Sequence, residues 1–268
     1  MTDSLNEKRD KLCTILDRHG KRGLVVCYSG GCDSTLLAAM AREAGVQPLL
    51  LLTFATPTIS RYDLEAAADI AAGLGLQQRV SRLDTLLLPD MAENSRKRCY
   101  HCKLALYREA LSIARTAGYG CVADGGNADD RAAHRPGNQA IDELGICQPL
   151  AEARLTKAEI RCLAASMGLP NADRPASPCL ASRFPYGSRL DTELLQRVEQ
   201  GESLLRELGL RNFRLRVHDD LARLEVARQE TAAALLLGET INAGLRRLGY
   251  RYITLDLEEL ASGSFDRV

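Results

Sequence analysis

The segment Ser29-Gly30-Gly31-Cys32-Asp33-Ser34 constrains this chain more than any other stretch. It follows a short apolar run, Gly23 to Tyr28, and leads into a helical pattern from about Thr35 to Glu43. An unbroken apolar run of that length suits a strand buried on both faces. Strand, glycine turn and helix N-terminus, in that order, build an anion cradle. Glycines let backbone N–H groups approach a phosphate closely, and the helix end adds about half a positive charge. The Ser29 and Ser34 hydroxyls can donate. Asp33 would repel a bare phosphate, so its presence makes sense with Mg²⁺ between them. The loop has no Lys and is therefore not a Walker A arrangement. A serine-capped glycine turn is the plain alternative.

The pattern repeats along the first half. Leu49 to Phe54 and Gln77 to Val80 read as strands, as does Gly120 to Ala123, while Tyr62 to Leu74 and Leu104 to Thr116 read as helices. Such alternation implies crossovers onto a parallel sheet, an α/β fold. Thr156-Lys157-Ala158-Glu159 is a capping box that opens a helix running to Met167. Between Leu169 and Ser188 four prolines break regular structure around Cys179, Arg183, Phe184 and Tyr186. Beyond Asp191 come a helix (Thr192 to Leu208) and two strands, Asn212 to Val217 and Leu221 to Val226, around a His218-Asp219-Asp220 turn. A further helix and a strand near Tyr252 to Leu255 complete a smaller α+β unit. The domains are read as 1–180 and 181–268.

Balanced charge, 35 Lys+Arg against 35 Asp+Glu, argues against a broad electrostatic grip on nucleic acid. With no run of roughly 20 apolar residues and no signal-like N-terminus, the expectation is a soluble, cytoplasmic chain. Nine cysteines is a high count for a reducing compartment, where metal, cluster or catalytic uses outrank disulfides. Cys13, Cys27, Cys121 and Cys162 read as small core residues, and Cys147 has no distinguishing context. Cys99-Tyr100-His101-Cys102 is a CxxC, of which roughly 0.3 arise by chance in such a chain, so its spacing is weak evidence. Arg96, Lys97, Arg98 and Lys103 around it would favour thiolates. Cys179 is a third candidate. Three thiolates suit a [4Fe–4S] cluster with one open iron. Zinc with His101, a redox dithiol, and plain packing of a helix start are the competing readings.

The Ser29–Ser34 loop resembles the PP-loop of the ATP pyrophosphatase superfamily, which implies an adenine-nucleotide α-hydrolase-like Rossmann sheet and cleavage of ATP to AMP and pyrophosphate. Further segments resemble the LarE family: Asp124-Gly125-Gly126-Asn127-Ala128-Asp129-Asp130, Arg135-Pro136-Gly137, Leu155 to Arg161, and Pro175-Ala176-Ser177-Pro178-Cys179-Leu180-Ala181-Ser182-Arg183-Phe184-Pro185-Tyr186-Gly187. The likeness runs from the loop to about Val226. It implies an ATP-dependent sulfur transferase that adenylates the carboxylates of pyridinium-3,5-biscarboxylic acid mononucleotide and converts them to thiocarboxylates, toward the nickel-pincer nucleotide of lactate racemase. Members with the RCxxCK pair are similar to cluster-dependent enzymes, with Cys99, Cys102 and Cys179 as cluster ligands. Members with only the cysteine matching Cys179 sacrifice its sulfur. A PP-loop tRNA thiolase and a zinc-bearing nucleotide sensor are the alternatives.

On the LarE resemblance, Mg²⁺–ATP occupies Ser29, Gly30, Gly31, Asp33 and Ser34, with the adenine near Phe54. Asp124 and Asn127 line the nucleotide site, or simply cap a strand end. Cys179 and Asp33 carry the chemistry, and Arg183 contacts a nucleotide or substrate phosphate. Arg214 and Arg216 alternate on one strand face, with Glu225 near their level on the next. The family likeness makes Glu202, Arg214, Arg216 and Glu225 a pocket for the substrate phosphate and a metal, against a solvated charged hairpin face. The resemblance also implies a homo-oligomer, a hexamer being the candidate, and an external sulfur donor.

Overall fold

The computed structural model describes residues 3–132, 136–261 and 265. Met1 and Arg135, the first residue of the Arg-Pro-Gly segment, lie outside the described residues. The chain divides into two units: the stretch up to Thr85 with Lys97–Ser177, and Leu86–Arg96 with the residues from Pro178 onward. The segment 86–96, which a division at 180/181 leaves in the first domain, thus packs with the second unit.

The first unit is α/β. Its sheet contains β1 (Leu24–Cys27), β2 (Leu49–Ala55), β3 (Gln78–Arg82) and β4 (Cys121–Asp124), all parallel, in spatial order β3-β2-β1-β4. Period-two alternation sorts the central strands between two layers. Leu24, Val26, Leu49 and Leu51 join one core with α1 (Asp3–Gly20), α2 (Cys32–Glu43) and the later helix Lys157–Ser166. Val25, Leu50 and Leu52 join the opposite core with Tyr107, Ala110, Ile113 and Ala114 of the helix Arg98–Ala117. Numbered in chain order, α3 is Arg61–Gly73, α4 is Arg98–Ala117 and α5 is Lys157–Ser166. Each fully buried leucine contributes on the order of 2 kcal/mol. The order resembles a Rossmann arrangement, with its switch point between β1 and β4, where ligands of open α/β sheets bind.

Two local readings change. The helix expected from Leu104 begins at Arg98, because its first turn reaches no core and so leaves no apolar period to read. The N-terminal stretch forms α1, whose buried Leu5, Leu12 and Leu16 lie on one helical stripe.

The second unit has a three-stranded sheet, β5 (Phe213–His218), β6 (Leu221–Val226) and β7 (Tyr252–Leu255). β5 and β6 run antiparallel, and β6 and β7 parallel. Leu195, Val198 and Leu205 of α6 (Thr192–Glu207) and Ile241 and Leu245 of α7 (Gly238–Arg247) pack with Leu215, Val217 and Leu224. Asp219 turns the hairpin at φ 55°. Among the described residues, no helix is long and apolar enough to cross a membrane.

Candidate functional site

In the first unit the loop after β1 wraps the N-terminus of α2. Gly30 sits at φ 69°, and a Cβ there would come within 2.6 Å of the Ala67 Cα, so the position is closed to other residues. The Asn171 amide donates to the Gly30 carbonyl at 2.8 Å and to Thr35 Oγ1 at 2.9 Å, pinning the turn from outside. Gly31 caps α2 without a side-chain bond. The Ser29 and Ser34 hydroxyls lie 3.2 Å apart, and Ser29 Oγ accepts from the Gly31 N–H at 3.3 Å. The structure therefore brings Ser29, Gly30, Gly31, Asp33 and Ser34 together in one turn at the N-terminus of α2.

Asp33 is held from two sides. Asn127 Nδ2 donates to its Oδ2 at 3.0 Å, and Lys157 Nζ, from the first turn of α5, pairs with its Oδ1. Asp124 ends β4 level with Cys27 of β1. Its carboxylate accepts from the Tyr107 hydroxyl at 2.8 Å, the Gly126 N–H at 2.8 Å and Gln148 Nε2 at 3.1 Å. Burial, and then the Asp124 charge, push the Tyr107 hydroxyl well up from its ordinary value, so it stays a proton donor. Burial likewise pushes the Cys27 and Cys32 thiols up, which makes both packing groups. Phe54 stands near the C-terminal end of β2, paired with Ser81, half-buried at the same edge of the sheet.

The cysteine candidates fall in both units. Cys99 is exposed and Cys102 half-buried, three residues apart in the first turn of α4. That spacing places them on one helix face. Cys179 belongs to the second unit, half-buried as the residue before a short 3₁₀ turn, Leu180–Arg183.

The second unit buries a cluster of charges. The Arg183 guanidinium grips Glu202 through Nε at 2.7 Å and Nη2 at 3.1 Å, and its Nη1 donates to the Pro178 carbonyl at 2.8 Å. Arg216 pairs with Glu225 at 2.9 Å and donates to the Ser182 carbonyl at 2.6 Å. Arg214, level with Glu225 across the hairpin, donates to the Ala261 carbonyl at 3.0 Å. Burial, followed by the neighbouring Arg216 and Arg183 charges, pulls its pKa down to about 10. Glu202, Arg214, Arg216 and Glu225 are each at most 6% exposed, so the solvated-hairpin reading does not hold. Three buried guanidiniums face two buried carboxylates, and the surplus positive charge suits an anion.

One family model matches residues 23–142 and is described as a family of unknown function (DUF7411). An uncharacterized protein of Synechocystis sp. is 38% identical over 247 residues, covering 91% of this chain and 92% of that protein. An uncharacterized protein of Methanocaldococcus jannaschii is 27% identical over 244 residues, covering 91% and 93%. The pyridinium-3,5-bisthiocarboxylic acid mononucleotide synthase (LarE) of Lactiplantibacillus plantarum is 33% identical over 241 residues, 90% of this chain and 87% of that protein. The chain belongs to the LarE family.

Two residues of this LarE-family chain escaped the sequence reading. Lys157 supplies the cation that the loop lacks. Its signal was the capping box, which puts it at the first position of α5. Asn94, at φ 48° and fully buried, donates from Nδ2 to the Phe184 and Pro185 carbonyls at 3.1 and 2.8 Å and accepts from the Gly187 N–H. It braces the segment that follows Cys179, and nothing local in the sequence announces a bond across 90 residues.

Proposed function

We propose that this chain is an ATP-dependent sulfur transferase. It adenylates the carboxylates of pyridinium-3,5-biscarboxylic acid mononucleotide and converts them to thiocarboxylates, with release of AMP and pyrophosphate. The product named for the Lactiplantibacillus plantarum relative supports the substrate. The observation that carries the nucleotide half is the loop at the sheet's switch point, with Asp33 held between Asn127 and Lys157.

On this reading ATP lies on the Ser29–Ser34 turn, where N–H groups, two hydroxyls and the α2 N-terminus face the phosphates. Mg²⁺ arriving with ATP supplies the charge that lets Asp33 face a phosphate. A substrate carboxylate oxygen attacks the α-phosphorus as the bond to the pyrophosphate oxygen breaks. The turn's donors and Lys157 stabilise the leaving charge. Phe54, Asp124 and Asn127 line the nucleotide, Asp124 held in place by Tyr107. Sulfide then attacks the acyl carbon and AMP leaves with the former carboxylate oxygen.

What supports a [4Fe–4S] cluster is the chemistry of the donors: Cys99 and Cys102 share a helix face among four basic residues, and Cys179 is a third thiol, half-buried at a turn. Bound on Cys99, Cys102 and Cys179, the cluster would supply the transferable sulfur, reloaded by an external donor. Arg214 and Arg216 take the substrate phosphate, with Glu202 and Glu225 beside them to hold the guanidiniums or a metal ion, and Arg183 holds the Cys179 turn beside Glu202. A cytoplasmic homo-oligomer belongs to the same reading.

The test is ATP–pyrophosphate exchange driven by the biscarboxylate mononucleotide, alongside iron and acid-labile sulfide content of protein prepared without oxygen. Exchange with about four irons per chain supports the reading. No exchange with this acid sinks it. Iron-free protein that becomes about 34 Da lighter on turnover marks Cys179 as a sacrificed sulfur source instead, since loss of H₂S leaves dehydroalanine.

A further inference from the structure

We propose that His19, Cys121 and Cys147 of the first unit bind a borderline-soft divalent cation of the Zn²⁺ class, at a site separate from the cysteines above. Their donor atoms all lie within 4.8 Å of one another. They come from three distant stretches: the last turn of α1, the first residue of β4, and a segment bridged in parallel to Ala123. Cys121 thus has a role beyond the core filler its sequence context suggests, and Cys147 gains a context.

The geometry is close to a metal's. Cys147 Sγ is 3.5 Å from His19 Nδ1. A tetrahedral ion with sulfur at about 2.3 Å and nitrogen at about 2.0 Å needs an edge of about 3.5 Å. The Cys121 and Cys147 sulfurs are 2.9 Å apart, too far for a bonded pair, and an ion would spread them toward an edge of about 3.8 Å. That asks for a side-chain movement of about 0.9 Å.

An independent feature is the far side of the imidazole. His19 Nε2 lies 3.0 Å from Glu152 Oε1, and Arg18 Nη2 donates to the other carboxylate oxygen at 2.6 Å. Arg18 Nη2 also lies 3.3 Å from this nitrogen, but the shorter contact is to a carboxylate, which only accepts; it favours the ring proton on Nε2 and leaves the Nδ1 lone pair toward the Cys147 sulfur. Carboxylate, imidazole and metal in line is how protein zinc ligands are oriented. Two thiolates and an imidazole select Zn²⁺ over Mg²⁺ or Ca²⁺. Cys147, Gln148 and Glu152 line an open cleft of about 520 Å³, which gives water access to a fourth position. Cys121 pairs with Leu24 at the start of β1, whereas the glycine loop follows Cys27 at its other end, so the two sites occupy opposite ends of the sheet.

Co²⁺ alone is the probe, added to the full chain carrying Cys99→Ser, Cys102→Ser and Cys179→Ser. The expected result is one cobalt per chain with thiolate-to-cobalt charge-transfer absorption, lost when Cys147→Ser or His19→Ala is added. Glu152→Gln should keep the absorption and weaken binding by about 10- to 100-fold. In the unsubstituted chain, Zn²⁺ should slow alkylation of Cys121 and Cys147 by about tenfold or more, a readout that needs no variant to fold. No absorption in the triple variant, absorption that survives both added substitutions, or equal alkylation rates would each overturn the proposal. A metal-free Cys121–Cys147 disulfide in protein prepared without oxygen would do the same. Because the cluster cysteines are absent from the cobalt experiment, its outcome is independent of the sulfur-transfer reading.

Discussion

Arg183 and Glu202 form a two-pronged ion pair, at 2.7 and 3.1 Å, with side chains 4% and 1% exposed. The remaining Arg183 nitrogen holds the Pro178 carbonyl, and Glu202 Oε1 also accepts from the Leu215 N–H. The pair thus joins the turn that carries Cys179 to α6 and β5. Removing one partner strands a buried charge. Glu202→Gln is expected to cost about 3–5 kcal/mol in urea unfolding. Arg183→Met with Glu202→Leu should cost less than the sum of the two single changes. Additive losses would show that the two charges are not coupled.

Lys157 is partly exposed and Asp33 is 18% exposed, so their pair contributes little to stability. Lys157→Met should change unfolding free energy by less than about 1 kcal/mol. Acid-dependent ATP–pyrophosphate exchange should fall on the order of 10²-fold if Lys157 stabilises the leaving pyrophosphate. Exchange at the unsubstituted rate would remove Lys157 from the reaction.

Asn94→Asp replaces a donor with a carboxylate aimed at the Phe184 and Pro185 carbonyls. Loss of roughly 2–4 kcal/mol is expected, since the site is fully buried and its acceptors would be left facing a charge. Asn94→Gly keeps the positive φ and should cost less. Thermal unfolding of the two variants ranks them, and the reverse order would mean that the cavity left by the side chain costs more than a carboxylate facing two carbonyls.

His218 titrates below its ordinary 6.5, because burial and then the Arg223 charge disfavour the imidazolium; Arg216 adds to this, and Asp219 and Glu225 oppose it. The unfolded chain therefore binds a proton first as pH falls. This contribution to stability is present above about pH 6.5 and is lost as pH drops toward the lower folded value. Stability of the chain followed from pH 8 to 5 should fall less steeply in His218→Gln. Parallel curves would mean that His218 contributes nothing to the slope.

Gly30→Ala places a Cβ about 2.6 Å from the Ala67 backbone at φ 69°. Strain there costs about 1–3 kcal/mol or forces the turn to move. Nucleotide protection against thermal unfolding should disappear with it, whereas Gly45→Ala, whose Cβ meets nothing within 4 Å, should lose only stability. Protection retained in Gly30→Ala would show that nucleotide binding does not need this turn.

Much of the first unit was legible because its information is local. The apolar runs of β1 and β2, the glycine turn between β1 and α2, and the Thr156–Glu159 capping box each state their structure within a few residues. Dihedral preference, burial period and capping act at that range. Ser29 and Asp33 stand out from the same local pattern, whereas Asp124 and Asn127 were singled out by the family resemblance of their segment. The Arg98–Lys103 turn was misread as lying ahead of its helix, because its residues join no apolar core and so carry no apolar period.

Contacts across long separations were decided only by the fold. Nothing near Lys157 says that it will meet Asp33, 124 residues away, and nothing near Asn94 points to Pro185. Cys121 reads as a core thiol, Cys147 has no distinguishing context and nothing singles out His19, until α1 and β4 set the three side by side. The sequence by itself determined the central strands, the glycine turn and the capped helix Lys157–Ser166. Tertiary structure decided which charges are buried, Arg183, Arg214 and Arg216 among them. Burial is a property of the packed assembly of elements, and a charge's energy depends on the solvent that the packing excludes.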